Sequence, residues 1–382
     1  MASANTLTGL IPTLYRAADI VAREQVGFVA ACFKDSGIDQ VAKDQTITYP
    51  VVGAQTAVDI APAATGPNPN GQTIGYGSMT ISKAKSVTFP WNGEEQASVR
   101  QSFDTILADQ FAQSMRVLVN EMENDLFLAA KRGASRAYGS AGVTPFATAG
   151  NFSDFSYTRQ ILVDNGAPLS DLHIVLNTTA GAKLRGLQSS LFKVNEAGDG
   201  SLLRDGNLGM VEGLMMHESG QIVKHTKGTG TNYVFNGAHA VGATSIVAKT
   251  GANTVLYGDI VTFEDDTANK YVVNTGIAAP GTMVIGGPGL RQAQTDGKTI
   301  TVGADYTGNW AFHRQALHLM TRLPLMPIGG DDADDVVVIT DPFSGISFQV
   351  CLYKQYRQNV YEIAAAWGTK VVKSDFIATL LG

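Results

Sequence analysis

The groups in this chain that could do chemistry are its six histidines, two cysteines, and a few acidic and glycine-rich clusters, and their spacing decides what they can do. Gly297-Lys298-Thr299 resembles the end of a phosphate-cradling loop. However, Gln292 stands where the first glycine belongs, and the segment reads as strand rather than as the approach to a helix. Gly286-Gly287-Pro288-Gly289 reads as a turn, not a dinucleotide fingerprint. His217-Glu218 is followed at the metal-ligand spacing by Gln221, so no second histidine completes a zinc-protease pair. His313 and His318 would diverge on a helix, and Ser140 and Ser344 lack the glycine frame of a nucleophile elbow. Asp331-Asp332 and Asp334-Asp335 could attract a divalent cation, but Ala333 occupies a ligand position and the loop glycine is missing, which leaves a solvated turn. Cys32 and Cys351 are too few and too far apart for a disulfide framework and read as free, buried thiols. No catalytic residue, cofactor or metal site is expected.

Composition points the same way. The 382 residues are enough for a large core and two or three domains. Only 16% of residues are charged, which favours a chain that buries surface against copies of itself. The net charge of −6 and the lack of a basic run argue against tight nucleic-acid binding, leaving any nucleic acid as a neighbour. Arg16, Asp19, Arg23 and Glu24 interrupt the N-terminal apolar residues, and no run reaches the ~18 residues of a membrane span. A cytoplasmic site of synthesis and no membrane partner are expected.

The element that organises the chain is Glu94 to Arg132, read as one amphipathic helix. Val99, Phe103, Leu107, Phe111, Met115, Leu118, Met122, Leu126 and Ala129 recur at the helical period. Asn92 and Glu95 form a capping-box pattern, and Lys131, Arg132 and Gly133 suit the C-terminal end. Before it, residues 1–40 read as an N-terminal arm with a helix from Pro12, continuing over Val26 to Phe33 and ended by Gly37. Thr46 to Val52 reads as a strand, and Met79 to Phe89 as its partner in a long two-stranded ribbon. The intervening Gly53 to Ser78, with Gly66-Pro67-Asn68-Pro69-Asn70-Gly71 at its centre, is too long for an ordinary hairpin loop.

After the helix come a loop over Gly139–Gly150, a helix over Ser156–Val163, a buried strand at Leu172–Leu176 and a helix at Thr179–Leu187. A turn at Leu203 to Gly209 leads into a strand-like run from Met210 to Met216. Composition then shifts: Thr226 to Gly308 holds 14 of the 41 glycines but only two leucines, Leu256 and Leu290. Strands are readable there at Tyr233–Phe235, Ser245–Ala248, Ile260–Phe263, Tyr271–Val273, Met283–Ile285 and Thr299–Val302, the spacing of a small barrel or sandwich. Glu264-Asp265-Asp266 falls in one of its turns. From Trp310 the earlier style returns, so the all-β unit reads as inserted. Ile346, Phe348, Val350 and Leu352 alternate, and strand-rich sequence runs through Val360–Trp367 and Val371–Val372.

This order resembles the major capsid proteins of tailed bacteriophages, the Johnson fold shared with herpesvirus shells, an α+β fold with a long spine helix, an extended β-ribbon loop and an inserted small barrel. The insertion is similar to that of podovirus-type coat proteins infecting Salmonella, through Tyr257-Gly258-Asp259-Ile260-Val261-Thr262-Phe263. Asn309-Trp310-Ala311-Phe312-His313-Arg314 and Trp367-Gly368-Thr369-Lys370-Val371-Val372 are similar to phrases near the ends of phage coat proteins.

The resemblance implies a division into an arm (1–40), ribbon loop (41–92), spine and peripheral region (93–150), axial α/β region (151–225), inserted unit (226–308) and return (309–382). It implies pentamers and hexamers of an icosahedral head around double-stranded DNA, many copies of the chain, a scaffolding protein and a portal protein, and maturation from a procapsid. The location would be the virion capsid, assembled in the host bacterial cytoplasm. Intersubunit contacts are expected at Ile47, Tyr49, Pro67, Pro69, Lys83, Lys85, Trp91, Glu264, Asp265 and Asp266. A non-viral shell protein of the same fold, a cytoplasmic enzyme with an appended β domain and a β-rich tail or adhesion protein of a virion are the alternatives.

Overall fold

The computed structural model describes residues 27–52, 57, 59–60, 74–99, 103–187, 209–341 and 345–382. The expected helix from Pro12, Pro67 and Pro69, the sequence 203–208 and Ser344 lie outside them. The chain enters through a single helical turn, α1 (Phe28–Ala31), followed by β1 (Phe33–Val41), β2 (Thr46–Val52), β3 (Ile74–Thr80) and β4 (Lys83–Asn92). Helices α2 (Gly93–Val99) and α3 (Phe103–Gly133) come next, then β5 (Arg136–Tyr138), α4 (Ser153–Asp164), β6 (Leu172–Asn177) and α5 (Thr178–Leu187). Beyond them lie β7 (Met210–Val211), β8 (Leu214–Ser219), β9 (Tyr233–Phe235), β10 (Ser245–Lys249), β11 (Ile260–Phe263), β12 (Asp266–Thr275), β13 (Gly281–Ile285) and β14 (Thr299–Val302). The chain closes with β15 (Gly308–His313), β16 (Leu317–Pro324), β17 (Asp335–Thr340), β18 (Ser347–Gln355), β19 (Gln358–Val371) and β20 (Ile377–Leu381).

The long helix forms where its periodicity places it. Leu107, Phe111, Met115, Leu118, Met122 and Leu126 are buried on one face, and the capping box is present: the Glu95 N–H donates to Asn92 Oδ1 (2.8 Å) and the Asn92 N–H to Glu95 Oε2 (3.1 Å). Continuity across residues 100–102 lies outside the description. At ~1.5 Å per residue α3 alone is ~46 Å long. Its buried face meets α1, β15, β18 and β19 in one core that includes Phe28, Trp310, Phe312, Phe348 and Trp367. Asp125 ties the helix to two strands, accepting from Lys83 Nζ and from Trp367 Nε1, each at 2.8 Å.

Two sheets frame this core. In the first, β19 carries β4 along one edge and β18 and then β16 along the other, with β17 and β1 at the ends. The second runs β12-β5-β20-β15-β6-β8-β7, and its outer face packs against α4 and α5 through Phe155, Leu162, Leu184, Ile174 and Leu214. β9 to β14 form a closed barrel: each strand pairs antiparallel with the next in the order β11-β14-β9-β10-β13-β12, and β12 returns to β11. All six expected strands of this region are present, and they enclose a core of their own around Tyr233, Phe235, Phe263, Tyr271 and Met283. The flanking strands β8 and β15 lie on either side of β6 in the second sheet.

Three expectations need correction. The helix expected over Val26 to Phe33 is present as the turn Phe28–Ala31, but Phe33 already opens a strand, and Gly37 lies inside that strand instead of ending a helix. β1 runs parallel to β16 from Phe33↔His318 onward, and this pairing overrides a short apolar run that periodicity cannot assign. The partner of β2 is β3, with Ile47 opposite Met79, whereas β4 leaves the ribbon to pair along β19. The break falls at Ile81, which is fully buried and whose backbone is held by Gln45 O (3.0 Å) and the Asp44 N–H (2.8 Å). The loop expected over Gly53 to Ser78 is shorter as well, since 74–78 belong to β3. The Tyr49 ring lies across Gly77, where an added Cβ would come within 2.5 Å of it, so the glycine that reads as loop is what allows the strand to pair.

Candidate functional site

The ribbon β2–β3 stands on a small core. Ile47 and Tyr49 are half-buried against Val41, Met79, Ile81 and Met320. Beyond Pro50 that support ends: Val52 is 65% exposed, Ile74 67% and Tyr76 80%. The ribbon has no third strand among the described residues. An isolated two-stranded ribbon with an outward apolar face is marginal in water, so this surface is built to be covered. A groove of about 520 Å³ opens beside it, lined by Phe33, Tyr49, Val52, His318, Val372 and Phe376 among others.

The other residues singled out from the sequence fall in two places. Lys83 and Lys85 project from β4 onto α3, with Lys83 Nζ 2.8 Å from Asp125 Oδ1 and Lys85 Nζ 2.6 Å from Glu121 Oε2. Trp91 is buried, packs edge-on against Phe103 and donates from Nε1 to Gln110 Oε1 at 2.6 Å. At the barrel, Glu264 and Asp265 grip Lys298 at 3.0 and 3.1 Å. The Thr299 N–H, followed by Lys298, holds the Glu264 carboxyl below its ordinary value, and the Thr295 hydroxyl and N–H do the same for Asp265. Asp266 opens β12 and is buried, accepting from the Tyr271 hydroxyl (2.5 Å) and the Asn269 amide (2.9 Å). Trp91 and Asp266 thus turn into their own chain. Ile47, Tyr49, Lys83, Lys85, Glu264 and Asp265 keep a solvent-facing part.

One polar cluster went unread in the sequence. His173 on β6 and His217 on β8 meet with His173 Nδ1 3.0 Å from His217 Nε2. The other nitrogen of His173 lies 2.9 Å from Asp171 Oδ1 and 3.0 Å from Arg314 Nη2, while Arg314 Nε reaches Asp171 Oδ2 at 3.0 Å. Burial lowers the pKa of both histidines, that of His217 to about 4 with help from His173 and Arg314. Asp171 stays below its ordinary value because the His173 and Arg314 contacts outweigh its own burial. A parallel pairing across 44 residues brings the two rings together, and no local motif records it. Among the described residues, no group of three or more His, Cys, Asp and Glu side chains is arranged to hold a metal ion, and no helix is long and apolar enough to cross a membrane.

No protein-family profile matches the chain, and no curated protein does. Solved structures do. The chain is similar to one in the capsid structure of the Cyanophage P-SCSP1u, at 12% identity and a TM-score of 0.50, covering 92% of this chain and 86% of that one. It is also similar to the asymmetric unit of the bacteriophage PhiM1 mature capsid (13% identity, TM-score 0.48, 93% and 86% covered). A further similarity is to the virus-like particle from Pyrococcus furiosus (8%, 0.45, 97% and 98%). At such identities the likeness is one of fold: the chain has the mixed helix-and-strand fold of the cyanophage capsid chain over nearly its whole length.

Proposed function

We propose that this chain, with its phage-capsid fold, is a major capsid protein whose copies assemble the shell of a virion. The observation that carries the reading is the ribbon β2–β3, which projects an apolar face, uncovered among the described residues, through Val52, Ile74 and Tyr76 from a chain of that fold. Covering it with the next copy removes apolar surface from water at ~25 cal/mol per Å², and a head-to-tail contact of this kind closes into rings.

In finer detail, α3 is read as the spine of a Johnson fold, β2–β3 with residues 53–73 as its extended loop, and the β9–β14 barrel as an inserted unit. The domain division given above is kept as part of the proposal. Pentamers and hexamers around packaged double-stranded DNA, a scaffolding and a portal partner, assembly in the host cytoplasm, and a structural rather than enzymatic role complete it. Ile47, Tyr49, Lys83, Lys85, Glu264 and Asp265 are the proposed intersubunit residues from the described part, and Pro67 and Pro69 from the loop.

The test is electron microscopy of the expressed chain, alone and with a co-expressed scaffolding protein, beside a variant in which a short turn replaces residues 53–73 and Val52, Ile74 and Tyr76 become serine. Closed shells are expected from the parent, and folded but unassembled subunits from the variant. A parent that stays monomeric or dimeric in all conditions refutes the shell reading, and a variant that closes normal shells refutes the role of the ribbon.

A further inference from the structure

β6 and β8 lie next to the edge of the second sheet, where, among the described residues, the two-residue β7 follows. Their register sets His173 opposite Met215 and Val175 opposite His217, so both histidines project from one face of the sheet. That face also receives α1, which is pinned by buried Glu123 of α3 accepting the Phe28 and Val29 N–H groups. The two rings lie nearly parallel, 27° apart with centroids 5.2 Å apart.

At 3.0 Å the two facing nitrogens can share one proton. If His173 donates from Nε2 to Asp171, its Nδ1 accepts from His217. If Nε2 instead accepts from Arg314, Nδ1 donates to His217. A first added proton can still be held, as an imidazolium at His173 placed between the Asp171 carboxylate and a neutral His217 acceptor. A second cannot, because both facing nitrogens then carry hydrogen and both rings are cationic beside Arg314.

We propose that the His173–His217 contact is an acid-operated joint: it holds β8 to β6 while the pair carries at most one extra proton, and it lets the strand edge part when a second proton arrives. The charged and titratable groups around the pair are Asp171 on its own loop, His313 and Arg314 at the end of β15, and, next to these, Lys34 and Cys32 after α1, Asp341 after β17 and Glu123 on α3. Of these, Asp171 alone opposes a positive charge at direct contact, and it is already shared with Arg314.

The direction follows from linkage. Folding lowers the pKa of His217 from 6.5 to about 4, so its contribution to the joint is complete above the ordinary histidine value and is lost as pH falls from 6.5 toward 4. Over that window the open fraction at the joint rises on the order of tens-fold.

The experiment is hydrogen exchange on the whole unassembled chain at about pH 7 and pH 4.5, corrected for intrinsic rates, comparing the parent with His217→Gln. Protection of the Leu172–Asn177 and Leu214–Ser219 amides is expected to fall tens-fold in the parent, and by less than about threefold in the variant. An equal fall in both, or none in the parent, overturns the proposal. If the glutamine variant fails to fold, imidazole NMR of the parent decides. Two interdependent steps, with that of His217 well below the ordinary histidine range, support the joint, and independent titration of both rings at ordinary values refutes it.

Discussion

Replacing Glu123 by alanine tests how α1 is held. The Glu123 side chain is fully buried and accepts the Phe28 N–H at 2.7 Å and the Val29 N–H at 2.9 Å. Alanine leaves both donors buried without an acceptor, at ~1–3 kcal/mol each. Part of that is offset, because the wild-type carboxylate is itself costly to bury, so a net loss of about 2–3 kcal/mol is expected.

The pH dependence supplies a second reading. Burial raises the Glu123 pKa in the folded chain, with the Phe28 and Val29 N–H groups opposing. Folding thus favours the protonated form. The stability this group contributes is greatest below the ordinary carboxylate range and is lost as pH rises through the elevated native value. Urea unfolding of the unassembled chain, followed across that interval, should show this decline in the wild type and not in Glu123→Ala. Exchange at the Phe28 and Val29 amides should rise in step with the stability loss. A change below about 0.5 kcal/mol, or an unchanged pH slope, would refute the assignment of Glu123 as the clamp on α1.

Other substitutions probe the remaining joints. Asn92→Ala removes the capping box of α2 and should cost ~1 kcal/mol in thermal unfolding, with exchange rising first at Gly93–Val99. Asp259, fully buried at the base of the barrel, accepts from the Gly228 and Leu256 N–H groups and contacts His225 Nε2 at 2.7 Å. Asp259→Ala should destabilise by ~3 kcal/mol or more, and limited proteolysis should cut the chain near these loops first. Arg132 stacks on the Tyr257 ring at 4.0 Å, joining the end of α3 to the barrel. Tyr257→Leu should weaken that junction by ~0.5–2 kcal/mol, read as earlier thermal loss of the barrel signal in near-ultraviolet circular dichroism.

What the sequence made legible was whatever is decided locally. The buried stripe of α3, the Asn92–Glu95 cap and the six barrel strands each depend on a pattern within ten residues or so, and each is where periodicity or turn chemistry puts it. The misread segments were decided at long range. Cys32 to Val41 became extended because β16, nearly 300 positions later, offered a parallel edge. Gly77 signals a loop until Tyr49 is laid across it. Of the proposed contact residues, Lys83, Lys85 and the Glu264–Asp265 turn were recognisable as charged and exposed, but their own-chain partners Asp125, Glu121 and Lys298 were not. The histidine pair could not have been found without knowing that β6 and β8 are neighbours.

The way the barrel meets the main sheet has a mechanical consequence. β12 belongs to both: it pairs with β11 and β13 inside the barrel, and through Lys270↔Ala137 and Tyr271↔Arg136 with β5, which pairs in turn with β20. Arg136 donates to Asn269 Oδ1 at 2.9 Å, and Lys270 Nζ to the Gly139 carbonyl, fastening both sides of the seam. A force on the barrel rim therefore does not bend a linker. It loads this seam in shear, several bonds at once, and passes through β20 and β15 to the strands beneath α3. A barrel tethered by two loops would dissipate such a load in slack chain, whereas this one acts as a rigid arm whose tilt obliges the sheet to turn with it.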